Sequence, residues 1–326
     1  MKSVNLKWAV VSLCCFSLIA TSCKKNTSNN DATVDESTQA RVHSDDATTV
    51  STETESVDDD VNNTVASSAR FCGLGNVFGI GNHLPYDADT SNPGNTANRI
   101  IITYNGTTIG CRKRTGTVTI DLLNAPKWVE AGAILKYTFT NFKVENVCTN
   151  RSVRINGERY VTNVNGGNLV RLKAGLVPML KHKIRTGVIG LEATFTDSSG
   201  SKTAVWNVAR LTTITYATNN NSYYLDAAGD TTIANKPATE SWGTTRFGNP
   251  YQTVFTAPVK ANTFCRLWKP TAGVVTHSVG NYNALVEFGL NASGNPVGPN
   301  DCATHYRVTW TLANGTNSTP KLIEYK

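Results

Sequence analysis

Five histidines, His43, His83, His182, His277 and His305, are scattered without the close spacing that metal ligands on one element need. Carboxylates that could serve a glycosidase occur at Asp87, Asp89, Asp226, Asp230, Glu240 and Glu287. Such a pair is defined by a separation of ~5–10 Å, which only folding sets. The stretch CGLGNVFGIGNH at 72–83 clusters glycines, but no helix pattern follows and no acidic partner is placed for a dinucleotide. Turns are expected there instead. Cys148 would need a histidine and an orienting group to act as a nucleophile, and nothing ties it to His182. No catalytic residue, metal site or cofactor is therefore assigned.

Basic side chains offer a sharper chemistry. From residue 70 onward the chain has 26 Lys and Arg against 14 Asp and Glu, and the densest block runs from Lys143 to Arg185. Within it, RSVRINGERYV places Asn156-Gly157 between two short alternating runs, as a two-residue hairpin turn would require. In that hairpin Arg154 faces Arg159, at a cost of ~0.2–1 kcal/mol that a bound anion would reverse. Arg151, Arg154, Arg159, Arg171 and Lys173 are the candidate anion-binding residues. The ligand would be lipopolysaccharide phosphate or another anionic polysaccharide, with no specific nucleic acid expected. A solvated basic face explains the same charges. So does a domain folded back onto its own acidic leader, cancelling the field internally. Tyr223, Tyr224, Trp242 and Tyr251 are candidates for stacking on sugars, whereas Trp128, Trp206, Trp268 and Trp310 fall on or beside strands and suit a core.

The N-terminus supplies an address. Lys2 and Lys7 precede an uncharged run, Trp8 to Ala20, of 13 residues, shorter than the ~20 a bilayer-spanning helix needs. Ala20-Thr21-Ser22-Cys23 follows, and this resembles a bacterial lipobox: small residues for the signal peptidase and a thiol to carry lipid. Residues 1–22 then read as a lipoprotein signal peptide and Cys23 as the lipid anchor. By resemblance to lipoprotein sorting signals, Lys24 in place of Asp argues against retention at the inner membrane, so the expected location is the outer membrane or cell surface. Residues 23–69 read as a lipid-anchored, disordered acidic linker. Between Asp31 and Asp60 ten acids face one base, Arg41, and the few apolar residues are scattered Val and Ala.

Residues 70–326 read as an all-β domain, either an antiparallel β-sandwich or an extended β-meander, with a sub-boundary placed within the softer 217–250 region. RIIITY at 99–104 ends on Asn105-Gly106, a hairpin signal, while 117–123 and 134–144 alternate strictly. In the latter the phase slips at Asn141, as a bulge would cause. Asp197-Ser198-Ser199-Gly200 reads as a turn between two strands. Further strands are expected at 251–259, 283–290, 304–313 and 320–325. Past Cys23 five cysteines remain, so one must stay unpaired within the chain and fifteen two-bridge pairings are open. The expected bridges are Cys265–Cys302 and Cys72–Cys111, leaving Cys148 free.

Several short motifs are similar to those of a family of Bacteroidota lipoproteins without an assigned activity. They are Cys72-Gly73, Cys111-Arg112-Lys113-Arg114-Thr115-Gly116, VRINGERYVTN at 153–163 and AVWNVARLTT at 204–213. Cys265-Arg266-Leu267-Trp268, Glu287-Phe288-Gly289 and Asp301-Cys302-Ala303 complete the set. The resemblance implies an all-β fold, the lipid anchor and the Cys265–Cys302 bridge, and it implies no mechanism. The sequence thus points to a cell-envelope lipoprotein with a non-catalytic binding or structural role. A glycan-active enzyme and a purely structural envelope protein are the alternatives.

Overall fold

The computed structural model describes residues 36–67, 84–91, 98–267, 269–298, 301–311, 315 and 319–325. The signal segment, Cys23, Cys72, His83 and Trp268 lie outside the described residues.

The chain is one antiparallel meander laid around a helix. Helix α1 spans Glu36–Ser67. The strands β1 (Ala88–Ser91), β2 (Arg99–Ile109), β3 (Arg112–Leu123), β4 (Ala133–Asn146) and β5 (Arg151–Asn163) pair in chain order. A short helix, α2 (Leu169–Lys173), leads to β6 (Leu180–Asp197) and β7 (Gly200–Ala217). Next come β8 (Ser222–Gly229), β9 (Thr231–Ile233), β10 (Lys236–Thr244) and β11 (Pro250–Asn262). Finally β12 (Ala272–Val279), β13 (Tyr282–Leu290), β14 (His305–Thr311) and β15 (Lys321–Glu324) close the sequence.

The simple order breaks at β7. Its first half pairs with β10 through Val205–Val208, and its second half pairs with β8 through Arg210–Ala217. Strand β11 divides in the same way, meeting β10 at 250–254 and β8 at 259–262. Strands β7, β8, β11 and β10 therefore close a four-stranded barrel inside the longer meander. The expected meander, rather than a sandwich, is what forms. The soft 217–250 segment supplies β8, β9 and β10, which pair into the same sheet as β7 and β11.

Two apolar cores form among the described residues. One lies between α1 and strands β2 to β7, joined by Tyr251 and Val279. The other gathers Leu172, Leu225, Val259, Val275, Val286, Phe288 and Val308 beneath α2, β8 and β11 to β14.

Bulges let the first strands curl. In β4 the inward residues Leu135, Tyr137 and Phe139 give way to Phe142 and Val144, with the register slipping between Phe139 and Phe142. That is the expected slip at Asn141, which takes φ of 50°. Opposite, Gly116 has φ of 96°, and a Cβ there would sit 2.2 Å from the Asn141 carbonyl oxygen. Only glycine fits both the backbone angle and the close approach.

Both Asn-Gly hairpin expectations fail, for one physical reason. Asn105-Gly106 lies inside β2, where Asn105 Oδ1 accepts the Thr107 amide at 2.9 Å and the register shifts; the chain reverses later, at Gly110-Cys111. Asn156-Gly157 lies inside β5, which continues unbroken from Arg151 to Asn163. Gly157 has φ of 124°, and a Cβ on it would lie 2.8 Å from the Gly190 oxygen. Gly190 ends a bulge in β6 where Thr186 to Leu191 span what β5 covers from Arg159 to Gly157. The positive φ that signals a turn is used here to kink strands past each other. The turn at 198–199 forms as expected, with Asp197 paired to Gly200.

The described disulfides are Cys265–Cys302, as expected, and Cys111–Cys148. The expected Cys72–Cys111 bridge and free Cys148 are thereby corrected. Register explains it: Arg112 pairs with Asn146, so the β2–β3 turn and the end of β4 are neighbours, and Val147 donates its amide to the Cys111 carbonyl at 2.9 Å.

Replacing Gly116 with alanine is expected to cost at least the ~1–3 kcal/mol of a strained backbone angle. Gly110→Ala, where a Cβ meets nothing within 4 Å, should cost less. Denaturant midpoints of the two variants give the comparison.

Candidate functional site: an acidic helix seated on arginines

The largest departure from the sequence expectation is α1. Over 36–67 the supposed disordered linker is a helix of 32 residues. Of its described side chains only Arg41 and Thr52 are exposed. The stripe that holds it is Ala40, His43, Ala47, Val50, Thr54, Val57, Val61 and Thr64, in alternating steps of three and four. Five of those eight are Ala, His or Thr, so the stripe is weakly apolar in composition while behaving as a core face. Thr54 and Thr64 turn their hydroxyls back to the carbonyls of Val50 and Asp60, both at 2.8 Å, so neither of these two hydroxyls is stranded.

Two rows of acids flank the stripe. Asp46, Glu53 and Asp60 recur every seven residues on one side; Glu55 and Asp58 lie on the other. Each meets an arginine from the sheet. Asp46 takes Arg246, from the β10–β11 turn, through both carboxylate oxygens at 2.5 and 2.7 Å. Asp197, at the end of β6, holds the same arginine at 2.8 Å. Glu53 pairs with Arg112 of β3. Asp60 binds Arg114 of β3 at 2.7 Å, and Asp87 grips that guanidinium through two further bonds of 2.6 Å. Tyr104 adds a hydroxyl to Asp60 at 2.9 Å. Asp58 binds Arg159 of β5 at 2.7 Å, and Arg159 also donates to the Thr54 carbonyl at 3.3 Å. Glu55 and Glu240 share Arg210 of β7, at 3.2 and 2.5 Å.

Burial governs the protonation of this layer. Arg114 and Arg210 lose hydration, yet their carboxylate partners outweigh that loss and hold both charged at every accessible pH. Burial pushes Glu55 up from the usual carboxylate range, while Arg210 and Arg159 pull against it and favour the charged form. Asp59 is raised to about 9 by burial, then by the charges of Asp58, Asp60 and Glu55, and it has no arginine to oppose them. It is therefore protonated at neutral pH.

Near the helix N-terminus His43 is fully buried, its ring centroid 4.4 Å from Tyr251, 5.0 Å from Trp206 and 5.3 Å from His277. Burial, then His277 and Arg246, hold it well below its ordinary value. His277 falls to about 4 for the same first reason and shares a 2.8 Å hydrogen bond with Thr253. These imidazoles are neutral packing groups.

The expected anion-binding set does not assemble. Arg159 is 5% exposed and spent on Asp58, while Arg154 points outward beside Lys143 and Thr194. The two are not opposed across a turn, because the turn does not exist. Arg151 is exposed on β5; Arg171 and Lys173 lie on α2, remote in sequence from both. The sugar platform also dissolves. Tyr223 is buried in the second core and Tyr251 in the first, Tyr224 accepts a 2.6 Å bond from Asn220, and Trp242 is half-buried. Trp128 and Trp206 are core residues, as expected. Of the carboxylates set out for glycoside chemistry, Asp87, Asp226, Asp230, Glu240 and Glu287 each lie against an Arg or Lys. Cys148 is a disulfide partner, and His182 is packed on Trp128 at 5.5 Å. Among the described residues no group of three or more His, Cys, Asp or Glu is placed to hold a metal.

No family model, curated protein or solved structure matches this chain.

Breaking one buried pair leaves an uncompensated charge, so Arg159→Leu is expected to cost about 3–5 kcal/mol in unfolding free energy. Exposed Arg154→Leu should stay within about 0.5 kcal/mol, in contrast to the equal effects an exposed hairpin pair would give. Asp59 supplies a pH test. With its native value near 9 and its ordinary value of 3.8, the native state keeps a proton that the unfolded chain releases, so stability drains as pH rises through that window. Asp59→Asn should remove that drain. Its gain over the parent should be near zero below pH 4, grow by at most about 1.4 kcal/mol per pH unit and level off above pH 9, as read from denaturation curves across pH.

Proposed function

We propose that this chain is a lipid-anchored, extracytoplasmic envelope protein with a non-catalytic, structural or binding role. The reading is carried by two disulfides that staple the sheet of a chain opening on an apolar run, small residues and Cys23. Disulfides of this kind persist in oxidising compartments. The non-catalytic role is favoured because the buried histidines stack on aromatic rings and the buried carboxylates of Asp58, Asp60 and Glu240 are matched to arginines. The charge excess is spent in the same way: the arginines facing inward serve α1, which favours the internally cancelled field over a surface for anionic polymers.

The tether is shorter than composition suggests. With α1 starting at Glu36, only 12 residues, 24–35, separate Cys23 from the folded unit. Their reach is at most about 45 Å, so the domain would sit close to the membrane on the helix end that holds His43 and Asp46.

Metabolic labelling with a radioactive or clickable fatty acid tests the address. The native chain should carry label and sediment with membranes, and Cys23→Ala should lose the label and become soluble or retain its signal. An unlabelled, soluble native chain would remove the anchored reading.

A further inference from the structure

We infer that the arginine-lined interior of the sheet is a helix acceptor that also takes α1 from a second copy of this chain, so that copies link by exchanging α1. The inference does not depend on the lipid anchor.

The first observation is how α1 is held. Its seat consists of side-chain contacts to β2, β3, β5, β7 and the β10–β11 turn: Asp46, Glu53, Glu55, Asp58 and Asp60 on five arginines, with Gln39 accepting a 2.6 Å bond from Asn249. No strand pairing includes α1, so it can leave without breaking the ladder. The second observation is its composition. Rich in Thr, Ser, Asp and Val, α1 has weak helix propensity and is expected to be helical only when seated. Seating and folding of α1 are thus one event, in which any interior presenting the same five arginines is an equivalent partner.

The third observation is the short distance between the described ends that the connection joins. Asp60 and Asp87 grip the same guanidinium, that of Arg114, so the chain entering and the chain leaving the intervening segment are close together. Ser67 lies about 10 Å beyond Asp60 along the helix, and Leu84 lies within about 11 Å of Asp87. The 16 residues between them, 68–83, could span about 58 Å when extended. That is roughly twice what cis seating uses, enough for α1 to reach an adjacent copy. Specificity comes from the pattern: a foreign acidic helix would have to repeat acids at steps of seven on one side of an alternating stripe, and Glu55 with Asp58 on the other. A second copy carries that pattern by definition. Within one chain the linker keeps α1 at an effective concentration on the order of mM, so exchange competes where copies are crowded or where chains fold side by side.

Two chains from Lys24 onward test the inference. One carries Asp58→Arg and Asp60→Arg, spoiling its helix; the other carries Arg114→Glu and Arg159→Glu, spoiling its seat. Neither can close on itself with full pairing, but the intact helix of the second fits the intact seat of the first. Co-refolded with disulfides in place, they are expected to give a one-to-one complex of twice the chain mass by light scattering. A second measurement covers variants that fail to fold. Native chain bearing a benzophenone amino acid at Gln39, beside Asn249, is isotopically heavy and is co-refolded with light native chain across micromolar to millimolar concentrations. Heavy–light cross-linked peptides joining the 39 and 249 regions, rising with concentration, support exchange. Products that are heavy–heavy only at every concentration overturn it, whatever the variant pair does.

Discussion

Guanidinium groups buried inside a β-sheet cannot stand alone, and the rest of this structure follows from how Arg114, Arg159, Arg210 and Arg246, with Arg112 at the rim, are answered. Transferring an unpaired charge to a protein interior costs several kcal/mol even after relaxation. Arg112, Arg114, Arg159, Arg210 and Arg246 all face the volume that α1 occupies. The helix answers them with Asp46, Glu53, Glu55, Asp58 and Asp60, and the sheet contributes Asp87, Asp197 and Glu240 to share the load. Carboxylates outnumber arginines in this layer, which is why burial leaves Asp59 protonated instead of adding another unpaired charge. Helix and sheet are mutually required. The sheet gives α1 its reason to be helical, and α1 gives the first core its inner wall of Val50, Val57, Val61 and Val65.

The sheet reaches the shape this demands through local defects. Gly116 against Asn141, and Gly157 against Gly190, are places where backbones approach too closely for a side chain. Each adds twist to strands that would otherwise run flat past a helix. The barrel of β7, β8, β10 and β11 then lets the sheet leave the helix and build a second core of its own. Cys111–Cys148 and Cys265–Cys302 staple one place in each half: the β2–β3 turn to the end of β4, and the end of β11 to the approach of β14.

Much of the fold was legible. Alternation in 117–123 and 134–144 marks β3 and β4, and even the slip at Asn141 shows in the sequence, because a period of two records which face is buried. The turn at 198–199 was readable too, whereas the cysteine count left fifteen pairings open and did not by itself select the Cys265–Cys302 bridge. Asn-Gly at 105–106 and 156–157 misled, because the dipeptide reports permission for positive φ and that permission serves a bulge as well as a hairpin. Strands β8 to β10 carry Asn, Gly, Thr and Ala in the pattern of a loop; pairing of β8 and β10 to both β7 and β11, and of β9 to β10, makes them sheet.

By itself the sequence determined the apolar entry segment followed by Cys23, the period-two character of the chain, and a basic segment preceded by an acidic one. It did not determine that these two charges belong to one interior. Composition sums a segment's polarity, so the stripe of Ala40, His43, Ala47, Val50, Thr54, Val57, Val61 and Thr64 was submerged among acids and read as unstructured. Whether a carboxylate is solvated or buried depends on what lies within a few ångströms of it, and for Asp58 that neighbour is Arg159, 101 residues away. Only the tertiary structure brings them together. There the low dielectric of the interior turns a segment too polar to fold alone into the element on which the sheet closes.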